Sequence, residues 1–187
     1  SAGDAGIAVY SNKGLVTIQN VAKLKIGKSL GENQEGVAVY LAGDAQNLES
    51  KTSTVTIGNG SFGYVMTGQG NTITTGLLGN TEVISLGKDS MFLYSADKTG
   101  SITNYNHLKS IGDKNYGLYV SGAAENKWNI DFSVGIGNVG IYSYLKGAIA
   151  GTKPGLVQNY GEIKVSKSDI SDPNHRKYGI GMAAGFT

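Results

Sequence analysis

The chain has 187 residues, of which 40% are hydrophobic and 16% charged, and its formal net charge is +2. This length fits a single domain, and 29 glycines with only two prolines exclude collagen and a proline-rich linker. The absence of cysteine excludes disulfide scaffolds, thiolate zinc sites and cysteine nucleophiles, while the dispersed basic residues argue against a nucleic-acid-binding protein.

A glycine phrase recurs from the first residues to the last and predicts one strand in each repeat. It consists of glycine, an apolar residue, a middle residue and usually a second apolar residue. Its copies begin at residues 6, 36, 63, 90, 117, 140 and 179, and the copy at 90 has serine in place of glycine. Three consecutive steps span 27 residues each. A fixed period of this size is typical of a solenoid.

A second phrase, apolar–any–apolar–glycine, lies between copies of the first. It begins at Leu24, Val55, Ile84 and Phe132, and partial copies lie around Ser110 and Ile163. Because side chains alternate along a strand, the middle residue is predicted to face outward. The predicted outward column is Lys25, Thr56, Ser85, Ser110, Ser133 and Lys164, all of them polar.

A third phrase precedes the second at 14–20, 100–105 and 155–161, with weaker equivalents at 72–75 and 128–130. Three short strands in each repeat predict an all-β parallel β-helix of about seven rungs, because equivalent strands of successive turns pair and bury one common core. We expect corner loops of variable length at 42–53, 121–129 and 166–177. Neither end resembles a cap, so residues 1–187 are predicted to form one segment of a longer β-helix.

The sequence contains no recognisable catalytic motif. His107 and His175 lie outside metal-ligand spacing, and no phosphate-binding loop or nucleophile elbow is present. We therefore predict a non-catalytic chain with no cofactor and no metal. A polysaccharide-cleaving β-helix remains the alternative; it would need clustered carboxylates in an outward cleft, and Asp131 has no second acid in its predicted column.

Aromatic residues suggest a binding face. The middle column of the glycine phrase is predicted to face outward, although it is largely apolar: Ala8, Ala38, Val65, Phe92, Tyr119, Tyr142 and Gly181. The next outward column includes Tyr10, Tyr40, Tyr94 and Tyr144. These rings would either stack to stiffen the sheet or form an apolar stripe for a partner. The candidate partner contacts are Phe92, Tyr119, Tyr142 and Trp128, the last of which would alternatively anchor its loop.

Two pairs of segments carry a family resemblance. GLVQNYGEIKV at 155–165 with YGIGMA at 178–183, and GSITNY at 100–105 with YGLYV at 116–120, resemble repeats in the passenger domains of large Gram-negative autotransporter adhesins. Such repeats often read Gly-x-Ile-x-Asn-x-Gly-x-Ile and then, after a turn, Gly-Ile-Tyr-Ala.

The resemblance implies a right-handed β-helix that is exported by type V secretion and displayed at the cell surface. It further implies anchoring in the outer membrane through other parts of the parent protein, or release from the cell. The implied partner is a protein or glycan on a host or bacterial surface, and sideways association of rods stays open. A pure structural spacer is the second alternative.

Overall fold

The computed structural model describes residues 1–19, 22–52, 54–145 and 155–186. In these residues all regular structure is β-strand, arranged in three parallel sheets that wrap around one core. Strands that neighbour each other in a sheet are always three apart in the chain, so each turn contributes one strand to each sheet. The predicted parallel β-helix is confirmed.

Sheet 1 contains seven strands, one from each rung, and sheets 2 and 3 contain six strands each. Sheet 1 consists of β1 (Ile7–Ser11), β4 (Val37–Leu41), β7 (Phe62–Met66), β10 (Met91–Ser95), β13 (Tyr116–Val120), β16 (Val139–Leu145) and β19 (Ile180–Phe186). Sheet 2 consists of β2 (Leu15–Ile18), β5 (Asn47–Ser50), β8 (Thr72–Gly76), β11 (Ser101–Tyr105), β14 (Ala123–Asn126) and β17 (Val157–Asn159). Sheet 3 consists of β3 (Lys23–Ile26), β6 (Thr54–Ile57), β9 (Val83–Leu86), β12 (His107–Ser110), β15 (Ile130–Asp131) and β18 (Ile163–Lys164). The described residues include no helix long and apolar enough to cross a bilayer.

Five positions describe each strand of sheet 1, numbered from the first residue of the strand. In β13, Tyr116 and Tyr119 at positions 1 and 4 are half-buried, whereas Gly117, Leu118 and Val120 at positions 2, 3 and 5 are buried. The same pattern holds in β4, β7 and β10. Two successive inward residues interrupt the simple alternation that the sequence analysis assumed.

The uniform step of 27 residues is wrong at the level of strand register. Strands β4, β7, β10 and β13 begin at residues 37, 62, 91 and 116, so the true steps are 25, 29 and 25 residues. Gly36 precedes its strand, but Gly63, Gly117 and Gly140 occupy position 2 within theirs. The apolar residues that directly follow the glycine of each phrase therefore occupy position 1 in some rungs and position 3 in others, and these positions differ in burial.

A similar shift affects two rungs of sheet 3. Leu108 pairs with Ile84 and Ile130 in register, and all three are buried. The outward residues of those rungs are therefore Lys109 and Asp131. Ser110 was predicted to face outward but is buried, and Ser133 lies beyond the end of β15.

Two of the predicted loops contain strands of sheet 2. Strand β5 lies inside 42–53 and pairs with β2 and β8, while β14 lies inside 121–129 and pairs with β11 and β17. Each contains a single buried apolar residue, Leu48 or Ala124, and therefore lacks a visible apolar alternation. The weak third-phrase equivalent at 128–130 is wrong, because β14 occupies that place.

Side-chain amides complete the interior beside the aliphatic core. The last inward position of sheet 2 is occupied by Thr75, Asn104, Asn126 and Asn159 in successive rungs. Asn104 accepts a hydrogen bond from Thr75 at 2.8 Å and donates one to Asn126 at 2.8 Å; Asn126 donates to Asn159 at 2.7 Å. This asparagine ladder runs along the rod axis and fixes the stacking of the rungs.

Candidate binding face

The outer surface of sheet 1 carries a row of tyrosines at position 4, which we call the tyrosine ladder. Register places the tyrosines of rungs 1, 2, 4, 5 and 6 in this one column, because strand pairing aligns equivalent residues of successive turns. The column contains Tyr10, Tyr40, Val65, Tyr94, Tyr119, Tyr142 and Ala183. The two outward columns predicted from the sequence, the middle column of the glycine phrase and the tyrosine column beside it, therefore largely coincide.

Tyr119 lies at the centre of the ladder's densest part. Its ring centroid lies 5.8 Å from that of Tyr94, 5.0 Å from Tyr142 and 4.8 Å from Tyr144. Tyr116, at position 1 of the same strand, packs edge-on against Tyr119 at 5.4 Å. Contacts in this range stabilise by about 0.5–1.5 kcal/mol beyond the burial of area. The rings therefore stack on one another, and Tyr119 and Tyr142 also keep part of their surface exposed, since both are half-buried.

The packing of these rings changes their acidity. Burial raises the pKa of Tyr116 and of Tyr119, and neighbouring phenols act in the same direction. Burial also raises the pKa of Tyr144, whose side chain is 6% exposed and whose hydroxyl donates to the Ser95 carbonyl at 3.4 Å. The raised pKa values keep Tyr116, Tyr119 and Tyr144 neutral at physiological pH.

Phe92 does not belong to this surface, and its predicted outward position is wrong. It occupies position 2 of β10 and is 0% exposed. Its ring packs edge-on against Tyr64 in the core, with centroids 5.4 Å apart. A side chain without exposed surface cannot contact a partner, so Phe92 is a core residue.

Trp128 lies on a different side of the rod, after β14. Its ring is half-buried and stacks on His107 with centroids 5.3 Å apart and planes at 13°. Its carbonyl accepts a hydrogen bond from the side-chain amide of Asn126, a member of the asparagine ladder. This geometry favours the anchor interpretation over a contact role.

A groove lies beside the tyrosine ladder on sheet 1. Its floor is the position-1 column, and its volume of about 590 Å³ falls in the range of small-molecule sites. The floor residues are Phe62, Met91, Tyr116, Val139 and Ile180. Because Tyr116 also packs on Tyr119, the groove and the ladder form one continuous face.

The segment 175–178 forms the wall of the groove together with corner residues Asp89 and Lys114. The backbones of Asp169 and Lys177 exchange two hydrogen bonds of 2.7 and 2.8 Å, which close the loop into a hairpin. Inside the hairpin, Asp172 accepts hydrogen bonds from the Asn174 backbone and, at 2.7 Å, contacts the His175 ring. The wall is therefore held in place by its own hydrogen bonds.

The sequence predicts the loop at 166–177 but not the groove beside it. The signal for the floor was an apolar or aromatic residue directly before the shifted glycines, in Phe62-Gly63, Tyr116-Gly117 and Val139-Gly140. No local pattern indicated that a loop near residue 175 would pack beside residue 62.

The carboxylates of the described residues mostly serve the backbone. Asp97 and Asp113 accept hydrogen bonds from backbone amides of neighbouring rungs. A hydrogen bond from the Ser133 hydroxyl lowers the pKa of Asp131, with the Lys164 and Lys109 ammonium groups acting in the same direction. Hydrogen bonds from His175 and Ser171 likewise lower the pKa values of Asp172 and Asp169. A general acid requires the opposite shift.

Within the described ranges, no three His, Cys, Asp or Glu side chains come together as a metal ion would require. Comparison of the chain with protein-family models, with curated proteins and with solved structures found no match. The binding face must therefore be interpreted from its own chemistry.

Proposed function

We propose that this chain is a non-catalytic segment of an adhesin displayed on the surface of a Gram-negative bacterium. In this proposal it forms a rigid stalk whose aromatic face binds a protein or glycan on a host or bacterial cell. The observation that carries the proposal is the tyrosine ladder, which places tyrosine rings in five of seven rungs along one side of the rod, four of them half-buried and one, Tyr10, exposed. Aromatic side chains are enriched at protein interfaces, and exposed apolar patches mark interaction sites.

The rod architecture supports a role as a stalk. All three sheets run along the same axis, and the asparagine ladder ties successive rungs together by buried hydrogen bonds. The cellular setting rests on the resemblance of segments 155–165 and 100–105 to autotransporter passenger repeats. Export by type V secretion, with anchoring through the parent protein or release, belongs to the same proposal.

Adhesion of beads coated with the chain tests the proposal. Beads carrying the natural sequence should adhere to cultured epithelial cells or aggregate Gram-negative bacteria. The double substitution Tyr119→Ser, Tyr142→Ser should abolish adhesion, because it removes the two half-buried rings at the centre of the ladder. We expect it to cost about 1–2 kcal/mol of folding stability from lost ring pairs.

Tyr160→Ser is the matched control, since Tyr160 is 59% exposed and follows β17 of sheet 2 rather than sheet 1. That variant should adhere like the natural chain. Equal adhesion by the double variant would remove the ladder from the proposal. Absence of adhesion by the natural chain would favour the pure spacer.

Cleavage of polysaccharide is the alternative from a different class. Incubating the chain with polygalacturonate and bacterial lipopolysaccharide, and measuring new reducing ends, tests it directly. We expect none, because hydrogen bonding lowers the pKa values of Asp131, Asp169 and Asp172 and keeps these groups ionised. New reducing ends would replace the adhesin proposal by an enzymatic one.

A further inference from the structure

The groove on sheet 1 combines a largely apolar floor with a wall that carries three cations, Lys114, Arg176 and Lys177, and one carboxylate, Asp89. Phe62 and Tyr116 lie two rungs apart in one column, with Met91 between them, so their side chains line the floor along the rod axis. The faces of aromatic rings carry partial negative charge and attract the polarised C–H groups of a saturated ring laid on them. A floor of this kind suits a sugar ring.

The wall contributes cations of which one has no acidic partner. Lys114 lies 3.8 Å from Asp89, and Lys177 lies 3.8 Å from Asp169. The Arg176 guanidinium instead contacts the Tyr178 hydroxyl at 3.4 Å, and no carboxylate of the described residues pairs with it. A guanidinium of this kind can bind an incoming carboxylate through two parallel hydrogen bonds.

Lys114 occupies a backbone position that does not suit it. Gly60, Asp89, Lys114 and Gly137 form a corner column. The amides of the first three donate to the carbonyl of the residue that directly precedes the next member, namely Lys88, Asp113 and Ile136. All four have positive φ, and Lys114 has φ of 54°. Two rungs of this column use glycine, which adopts the conformation without cost, whereas lysine does so with strain. Residues held in such conformations cluster at binding sites.

We propose that the groove binds a carboxylate-bearing sugar, of the uronic or sialic acid type. Arg176 holds the carboxylate, Lys114 and Lys177 add positive charge, and Tyr116 with Phe62 supports the ring. This inference deepens the proposed adhesin function and names the chemical class of its receptor.

An acidic peptide fits this groove less well. An extended peptide usually binds by adding a strand to a free sheet edge. Strands β7, β10, β13 and β16, which carry four of the five floor residues, are each paired on both sides, so among the described strands of the floor only β19, beside Ile180, has a free edge. Ring stacking and carboxylate pairing remain available, and together they select an acidic sugar.

Titration of the 187-residue chain, followed by NMR or calorimetry, tests the inference. The probes are methyl glucuronide, a methyl sialoside and the matched neutral sugar methyl glucoside. At least one acidic sugar should bind at least about tenfold more tightly than the glucoside, because only the acids form the charged hydrogen bond. Comparing the two acidic probes distinguishes a uronic from a sialic receptor.

Two substitutions in the wall locate the effect. Arg176→Gln should weaken binding of the preferred acid at least about tenfold and leave glucoside binding unchanged. Lys114→Gly should weaken acid binding severalfold without lowering the melting temperature, since glycine relieves the strained backbone. Lys25→Gln changes an exposed lysine on sheet 3 and should have no effect on binding.

Equal binding of acidic and neutral sugars, or binding of neither acid, would overturn the inference. So would a tetraglutamate peptide that competes with equal affinity, since the groove would then recognise carboxylates without the ring. Bead adhesion separates the two proposals. Adhesion without acid-sugar binding would support the adhesin proposal and refute the acidic-sugar proposal. Acid-sugar binding without adhesion would support the acidic-sugar site and refute the adhesin proposal.

Discussion

At the scale of single residues, Asn104 shows how a polar side chain can hold an apolar rod together. Its amide is fully buried and bonded on every side. The oxygen accepts from the Thr75 hydroxyl and the Asn106 backbone amide, and the nitrogen donates to Asn126 and to the Asn106 carbonyl. Slipping this rung by one residue would break the two bonds to neighbouring rungs, to Thr75 and Asn126, so the residue specifies register.

Replacing Asn104 by alanine should therefore be severely destabilising. We expect a loss of about 2–4 kcal/mol in the free energy of unfolding, because buried groups on Thr75, Asn106 and Asn126 lose their partner. Urea denaturation measures this loss. Asn12→Ala, at an exposed site, should stay within about 0.5 kcal/mol and serves as the control. Similar losses of stability in both variants would refute the stabilising role of the asparagine ladder.

Tyr64 gives the rod a dependence on alkaline pH. Burial raises the pKa of Tyr64 above the ordinary value of 10.0, and a 2.7 Å hydrogen bond with Ser50 only partly opposes the effect. At pH values below 10.0 the phenol is protonated in both the folded and the unfolded chain, so it makes no contribution to the pH dependence of stability. Above pH 10.0 the unfolded chain ionises first, so the free energy of unfolding falls by up to about 1.4 kcal/mol per pH unit.

The double variant Tyr64→Phe, Ser50→Ala removes this titration together with its hydrogen-bond partner. Thermal melts between about pH 9 and 11 should show a shallower loss of stability than in the natural chain. Ser50→Ala alone keeps the phenol and should retain the steep loss. An unchanged slope in the double variant would mean that Tyr64 ionises equally in both states.

At the scale of elements, Gly117 at position 2 of β13 allows this rung to lie directly against the next. A Cβ added at Gly117 would lie 2.4 Å from the Gly140 carbonyl oxygen, a backbone atom that cannot move alone. At Gly181, in the same column, the nearest atom would be a methyl group of Val165 at 3.4 Å. Glycine is therefore required at Gly117 and dispensable at Gly181, whereas other rungs accommodate Ala38 or Phe92 at this position.

Gly117→Ala should consequently cost at least about 2 kcal/mol, since the clash with backbone forces the rungs apart. Gly181→Ala should change stability by less than about 0.5 kcal/mol. Urea denaturation of the two variants gives a direct comparison of one substitution in one column. Equal tolerance of both alanines would show that the rungs can separate freely.

The elements also show which parts of the fold can be predicted from sequence. Strands β3, β6 and β9 have buried apolar residues on either side of an exposed one, so they follow the alternation rule. Strands β5 and β14 contain one buried apolar residue each and exist because neighbouring rungs pair with them. Period and class were therefore predictable, whereas register depended on tertiary pairing.

The binding face divides in the same way. Tyr119 and Tyr142 were predictable as outward aromatics because both follow an inward aliphatic residue. Phe92 was misplaced because positions 2 and 3 both face inward, which no periodic rule anticipates. The groove depends on the 166–177 loop packing beside residues of earlier rungs, and that juxtaposition has no local signature.

At the scale of the whole molecule, the rod is nearly one-dimensional. Each sheet pairs a rung only with the rungs before and after it, so stability is approximately a sum over neighbouring interfaces. A residue in a middle rung is covered from both sides, whereas among the described strands its equivalent in β19 pairs with β16 only. Position 3 shows the difference, since Leu118 is 0% exposed and Met182 is 47% exposed.

One column therefore supplies a matched test of the rod. Leu118→Ala should cost about 2–5 kcal/mol because it leaves a cavity between two rungs. Met182→Ala should cost less than about 1 kcal/mol, since much of that side chain is already in water. Hydrogen exchange should follow the same gradient, with amides of β10 and β13 exchanging more slowly than those of β19. Equal costs at both sites would indicate a globular core rather than stacked rungs, and the alignment of tyrosines along one side would then lose its structural basis.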